Sequence, residues 1–466
     1  MPCREIRMLG RCNDHPLWGR GKVKLLSSKR RAPEKGEEMV SSTVKAVERV
    51  FPLEEHSKTT DDYQSIYKFR GSDIGIILSF KHHFDPCKVI KLEQNYRSVG
   101  NVVEAGNALM SHNTNQMEKT LRTDKEPGEP IQIVELENEY QEAAYIGAAM
   151  KQLVMSGKYQ WGDFAILYRN GFQSAPFEQI FVHNFIPFKV FGGTSFFERE
   201  EIKDLTSYLR VIYNRKDDAA MLRILNKPSR GIGEASQEHI EAYANEHNVS
   251  VYRALKSVRD IPTIKKAVAG KIQTFLDTLD HFEEELQKGR SLSSYVRYVL
   301  EHSGLMKMYR ERATKEKNGH ERLDNLEEFL RLVSQYESEN PDKTLEEFMQ
   351  EMSLVSDYQE ETKEQSNVVR LMTIHASKGL EFPVVFVVGC NENIFPSWRS
   401  QAPEDIEEER RLAYVAITRA KERLYLTHVR QRSRLDGKGI QMYQPSRFLD
   451  EIPENLSKKL KISGAK

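Results

Sequence analysis

Short apolar runs rich in Val, Ile, Leu and Phe recur along this chain in two blocks, and the space between the blocks constrains the fold most. In the first block KVIKL (88–92), IQIVEL (131–136), DFAILYR (163–169) and FKVFGG (188–193) alternate with helical periodicity at about 100–111, at 139–157 and around 176–183. In the second, VVRLMTI (368–374), VVFVVG (384–389) and RLYLTHV (423–429) follow the same rule. Strands that are apolar on both faces and alternate with helices predict a parallel sheet covered on both sides. The stretch from about Glu200 to Asn367 has no Val/Ile-rich strand and reads as helical and highly charged. A sheet that needs strands from both blocks makes this stretch an all-α insertion; the alternative is a separate sequential domain.

The 466 residues suggest about three domains at roughly 150 residues each. Lys+Arg and Asp+Glu are both 69, which excludes a globally basic nucleic-acid binder but not a local basic groove. The charged fraction of 30% fits a chain with much solvated surface. No apolar run approaches the roughly 18 residues of a membrane helix, and the N-terminus lacks the apolar segment of a secretory signal. Cys3, Cys12, Cys87 and Cys390 form no CxxC pair, as expected for reduced thiols inside a cell. Residues 1–60 are divergent, with a basic cluster from Arg20 to Arg31, and read as a disordered segment; a nucleic-acid or nuclear-import patch is the alternative.

Four stretches carry chemistry. In EDIEEERRLAYVAITRAKERLYL (404–426) the charge run Glu407–Arg411 reads by itself as a solvated helix face. Arg419, in the polar step that follows, is placed to neutralise charge on a transferring phosphoryl group. TIHASKGLEF (373–382) is a small-residue turn after a strand, where open α/β sheets bind ligands. Lys378 could touch a phosphate there, although the string is not a GxxxxGK[ST] loop, and His375 alone reads as structural. LEQNYRS (92–98) offers Tyr96 as a stacking ring and Arg97 as a phosphate fork. DDYQSIYKFRGS (61–72) interleaves Tyr67, Phe69 and Arg70, a composition suited to stacking single-stranded bases.

In this order the four stretches resemble motifs VI, V, IV and III of the UvrD/Rep-type superfamily 1 DNA helicases. FGGTSFFEREEIKDLTSYLRV (191–211), PSRGIG (228–233) and PSRFLDEIP (445–453) are also similar to segments of that family. The resemblance spans about Asp61 to Pro453. It implies an α/β fold: a RecA-like, P-loop-NTPase-type motor domain (2A) at 86–199 and 368–456, a helical insertion (2B) at 200–367 and a remnant of the first motor domain (1A) at 61–85. Residues 457–466 are left as a basic tail. The implied activity is an ATP-dependent 3′→5′ DNA helicase of replication or repair, using ATP and Mg²⁺. Gln64 would sense the γ-phosphate, Tyr96 would stack on adenine, Arg97 and Arg419 would clamp the γ-phosphate, and Glu381 would bind the ribose. Tyr67, Phe69 and Arg70 would meet single-stranded DNA, the family often having Trp at the Phe69 position. His375 and Lys378 would link the DNA groove to the nucleotide cleft. Gly231, Ile232 and Gly233 would approach the duplex at a single/double-strand junction.

The sequence also departs from the family. There is no GxGKT loop and no DExx carboxylate pair: GRGKVK (19–24) has Pro16 where the loop's glycine should stand and Val23 where Ser or Thr should. Thr59 and Thr60 replace a glycine-containing turn. The usual Mg²⁺ ligands are therefore missing, no other metal site is indicated, and hydrolysis by this chain alone should fall by orders of magnitude. Three expectations stand side by side: a truncated helicase; a non-catalytic single-strand-binding or regulatory protein; and half of a split motor completed by another chain. All three place the chain inside the cell and off the membrane, cytoplasmic in a bacterium and nuclear or organellar in a eukaryote.

Overall fold

The computed structural model describes residues 4–8, 58–59, 61–68, 72–83, 87–316, 319–362, 365–433 and 440–462. Strands β1 (Arg4–Met8), β2 (Lys58–Thr59) and β3 (Cys87–Lys91) form a small parallel sheet in the order β2-β1-β3. The segment 1–60, expected to lack structure, thus supplies two short strands; the rest of it lies outside the described residues. KVIKL falls on a strand, but it pairs with β1 and not with the main sheet.

The main sheet is seven-stranded and parallel throughout. It comprises β4 (Ile131–Leu136), β5 (Phe164–Tyr168), β6 (Phe188–Phe191), β7 (Val369–Thr373), β8 (Phe382–Val387), β9 (Ala420–Val429) and, beyond a small hairpin, β12 (Ser457–Lys461). The order is β12-β4-β9-β8-β5-β7-β6. Strand side chains alternate between two cores. Ala165 and Leu167 of β5 face a layer with the helices Gly100–Met110 and Pro403–Ile417. Phe164, Ile166 and Tyr168 face the opposite layer, with the helices Glu139–Met155 and Ala175–His183. Burial on both faces explains why these strands read as continuous apolar runs. The hairpin is β10 (Gln431–Ser433) paired antiparallel with β11 (Ile440–Met442). Residues 457–461, expected in a basic tail, are instead an edge strand beside β4; parallel pairing there needs only backbone groups, which the lysines do not obstruct.

Between β6 and β7 every described element from Glu200–Tyr213 to Leu345–Thr362 is helical or a short turn. The helix Lys266–Gln287 shows why: Ala269, Ile272, Leu276, Leu279 and Phe282 recur at three- and four-residue spacing and are buried. These helices share one core, including Leu205, Tyr208, Phe275 and Phe329, which extends to Phe196 and Phe197 at the root of the insertion. The two strands that bracket the insertion are direct neighbours, with Phe188 opposite Val369. A buried ionic cluster joins the insertion to the sheet layers: Arg432 of β10 lies 2.8 Å from Glu328 in the helix Gly319–Glu339 and 3.2 Å from Glu139. No helix among the described residues is long and apolar enough to cross a membrane.

The charge run Glu407–Arg411 is not a solvated face. Glu409, Arg410 and Arg411 are buried. Glu409 takes a bidentate Arg169, Arg410 pairs with Glu451 at 2.7 Å, and Arg411 donates to the Asn115 carbonyl at 2.8 Å. Partners remote in sequence supply what water would otherwise supply.

Candidate functional site

The loop after β3 is tied by Asn95, whose side-chain oxygen accepts from the N–H groups of Arg97 (2.8 Å) and Ser98 (3.0 Å). Ser98 donates to the Ala420 carbonyl at 2.7 Å, fastening the loop to the start of β9. Arg97 is thereby aimed at the N-terminal ends of β8 and β9. Its Nε bonds Glu381 at 2.5 Å and its Nη1 the Thr418 carbonyl at 3.1 Å. Glu381 also pairs with Lys421 at 3.0 Å. Partial burial pushes the Glu381 carboxyl up, but its bonds to Arg97 and Lys421 outweigh this and hold it down at about 2.

Arg419 is only 1% exposed. Its guanidinium donates to the carbonyls of Val415 and Leu380, both at 2.9 Å, and to the Thr418 hydroxyl. Burial, with Arg97 adding repulsion, lowers it to about 10, so it stays cationic at neutral pH. Tyr96 is 64% exposed at the rim.

The turn Asp62–Gln64 faces Arg97 across an open cleft lined among others by Asp61, Gln64, Asn95, Lys119 and Thr418. Gln64 Nε2 donates to Asp61 at 2.7 Å. Three residues on, the Tyr67 hydroxyl is 3.5 Å from the His375 carbonyl. Lys378, in the turn after β7, donates to the Gln64 carbonyl at 2.7 Å, and its ammonium lies 5.0 Å from the centre of the Tyr67 ring. Arg97, Glu381 and Arg419 thus gather at the N-terminal ends of β8 and β9, while Gln64, Tyr67, His375 and Lys378 are joined along the turn between β7 and β8; Tyr96 stands exposed beside Arg97. Phe69 and Arg70 lie outside the described residues.

Gly231, Ile232 and Gly233 sit in the insertion, apart from this cleft. Gly231 has φ +70°, a left-handed backbone conformation that a side chain would strain. Ile232 is fully buried in the insertion core and its N–H is bonded to Asn226, so its side chain is an anchor for the loop and not a contact surface. Gly233 precedes the helix Glu234–Glu246.

The sequence reading passed over residues 113–123, which sew the cleft together. Thr114 donates to Glu407 (2.8 Å), Met117 N–H to Asp62 (2.8 Å), and Asn95 N–H to the Arg122 carbonyl (2.7 Å). The segment has no apolar period and no local motif; only the acidic pair Asp61–Asp62, more than fifty residues away, hints at a cationic partner such as Lys119. Among the described residues no group of three His, Cys, Asp or Glu side chains is placed to hold a metal ion. The cleft carboxylates of Asp61 and Asp62 are both engaged by Lys119.

Residues 90–431 match the UvrD-like helicase C-terminal domain. The chain belongs to the UvrD-like helicase family. It is 38% identical over 400 residues to a "Probable DNA helicase II homolog" of Rickettsia conorii, which covers 85% of this chain and 60% of that protein. It is 42% identical over 403 residues to "ATP-dependent DNA helicase PcrA" of Staphylococcus epidermidis and 38% identical over 406 residues to the PcrA of Bacillus subtilis, in each case over 54% of the relative. The chain therefore spans between 54% and 60% of the length of these relatives. The UvrD-like match runs through β4–β9 and the whole helical insertion, so six of the seven strands of the main sheet and the insertion fall within it.

Proposed function

We propose that the chain grips nucleotide and single-stranded DNA as part of an ATP-dependent 3′→5′ DNA helicase of the UvrD/Rep type. One contact set carries this: Lys378 bonds the Gln64 carbonyl while its ammonium stands over Tyr67. A single side chain thereby touches the turn that would sense a terminal phosphate and the ring that would meet a base. Around the cleft, Arg97 would provide a guanidinium for phosphate, with the buried cation of Arg419 behind it, Glu381 a hydrogen-bond acceptor for ribose, and Tyr96 an exposed ring for adenine. Mg²⁺, when bound with ATP, would neutralise charge on the phosphates. The described residues offer it no seat, since the cleft carboxylates are held by Lys119. The DNA partner would be single-stranded DNA and its junction with duplex, the latter near Gly231 and Gly233, and the setting the cell interior.

A second reading, a single-strand-binding or regulatory protein or half of a motor completed by another chain, is favoured by the lack of a GxxxxGK[ST] string in the 466 residues. One experiment separates the two. The purified chain is titrated with oligo-dT at several salt concentrations, with and without adenine nucleotide, and its ATPase is measured in parallel. DNA affinity that falls steeply with salt and shifts with nucleotide supports the shared grip. ATPase at typical helicase rates favours the first reading, and none favours the second. Nucleotide and DNA binding with no effect on each other, or coupling unchanged in Lys378→Ala, would remove the proposed link.

A further inference from the structure

We propose that Lys119 is a positioning residue for the terminal phosphate of the bound nucleotide, acting through Asp61 to fix where the Gln64 amide points. This rests on the nucleotide reading of the cleft. Lys119 Nζ lies 2.6 Å from Asp61 Oδ1 and 2.9 Å from Asp62 Oδ1, and its side chain is only 5% exposed. Lysine is almost never buried unless paired, and here it has two carboxylates and the face of Tyr63 at 3.8 Å. The other Asp61 oxygen, Oδ2, accepts from Gln64 Nε2 at 2.7 Å. The Asp61 carboxylate is therefore a bridge with one end on the ammonium and the other on the amide. An ionised carboxylate only accepts hydrogen bonds, so it also decides which way round the Gln64 amide sits: nitrogen toward Asp61, carbonyl oxygen away.

The backbone gives the bridge its reference frame. Tyr63 OH is 3.2 Å from the Lys119 carbonyl, and Asp62 Oδ2 accepts from Met117 N–H, so the Asp62–Gln64 turn is docked along the segment that bears Lys119. That segment is pinned in turn to the Arg97 loop, where Asn95 N–H bonds the Arg122 carbonyl and Arg122 N–H bonds the Glu93 carbonyl at 2.8 Å. Gln64 and Arg97 come from chain segments on opposite sides of the cleft. Lys119 is the charged link that holds the first in register with the loop of the second. Its ammonium favours the charged form: burial opposes this, but Asp61 and Asp62 outweigh it.

A positioning role separates two nucleotides that a purely structural role would not. The full chain is titrated calorimetrically with ADP and with AMP-PNP as wild type, Gln64→Ala, Lys119→Met, Lys119→Arg and Asp61→Asn. Wild type should prefer AMP-PNP. Gln64→Ala and Lys119→Met should each lose roughly tenfold of that preference, the scale of one hydrogen bond to a charged group, with ADP affinity little changed. Lys119→Arg should keep most of it. If Lys119→Met does not fold, Asp61→Asn decides, because Asp61 is less buried and asparagine keeps the acceptor for Tyr63 N–H. Loss of preference in Gln64→Ala but not in Lys119→Met or Asp61→Asn overturns the positioning role and leaves the cleft intact. A wild type with no preference for AMP-PNP also overturns it. A wild type that binds neither nucleotide overturns the nucleotide reading, and the inference with it.

Discussion

At neutral pH the Glu381 carboxylate faces Arg97 at 2.5 Å and Lys421 at 3.0 Å, and these two cations hold it at about 2. Its pKa is lower folded than unfolded. Its contribution to stability is therefore complete above the ordinary glutamate range and is lost as pH falls through about 2. A carboxyl-carbon NMR titration should place the Glu381 midpoint near 2 and show it rising in Arg97→Ala; an ordinary midpoint in the wild type would dissolve the cluster. Tyr96 and Arg419 should differ in what they hold. Tyr96 is exposed and Arg419 is committed to protein carbonyls and a hydroxyl, so Tyr96→Ala should weaken ADP binding more than Arg419→Ala does. Equal losses, measured by calorimetry, would refute that division. Tyr96, Arg97 and Arg419 were readable in the sequence because each sits in a short motif at a strand or helix end. Lys119 was not, because its meaning lies in a charge pair that forms only when residues 61 and 119 meet.

The helix Pro403–Ile417 shows the same division one level up. Its existence was readable from an acidic run before an apolar stretch, but its burial was not. Periodicity registers apolar faces, and this helix also buries Glu409 and Arg410 against Arg169, Asn113 and Glu451. Glu409→Ala would strip Arg169 of its bidentate partner and leave Ser397 N–H without its acceptor. The expected loss, read from urea denaturation, is up to about 3–5 kcal/mol, the scale for breaking a buried pair. A loss within the roughly 0.5 kcal/mol of an ordinary surface substitution would restore the solvated-face reading. The seven-stranded sheet was foreseen for six of its strands, since their apolar runs announce burial on both faces. SKKLK of β12 gave no such signal, being held by backbone pairing alongside β4.

For the whole molecule, the joint between insertion and sheet includes a buried ionic cluster. Arg432 stands between Glu139 and Glu328, and Glu328 is further paired with Arg331 at 3.1 Å. Arg432→Met should cost about 3–5 kcal/mol in denaturant melts by leaving two buried carboxylates face to face. Adding Glu328→Leu should recover much of that loss; no recovery would mean that Arg432 matters for its packing and not for its charge. The sheet order has a consequence for how the protein behaves among copies of itself. A parallel sheet ends in two rows of unpaired backbone groups, which invite another strand. At one end is β6, against one face of which the insertion packs, Tyr358 stacking on Phe188. At the other, β12 carries Lys458, Lys459 and Lys461, whose mutual repulsion discourages edge-to-edge association. Replacing the three lysines with threonine should lower the concentration at which light scattering rises while leaving the melting transition nearly in place, which would make the charge of this strand a guard against aggregation.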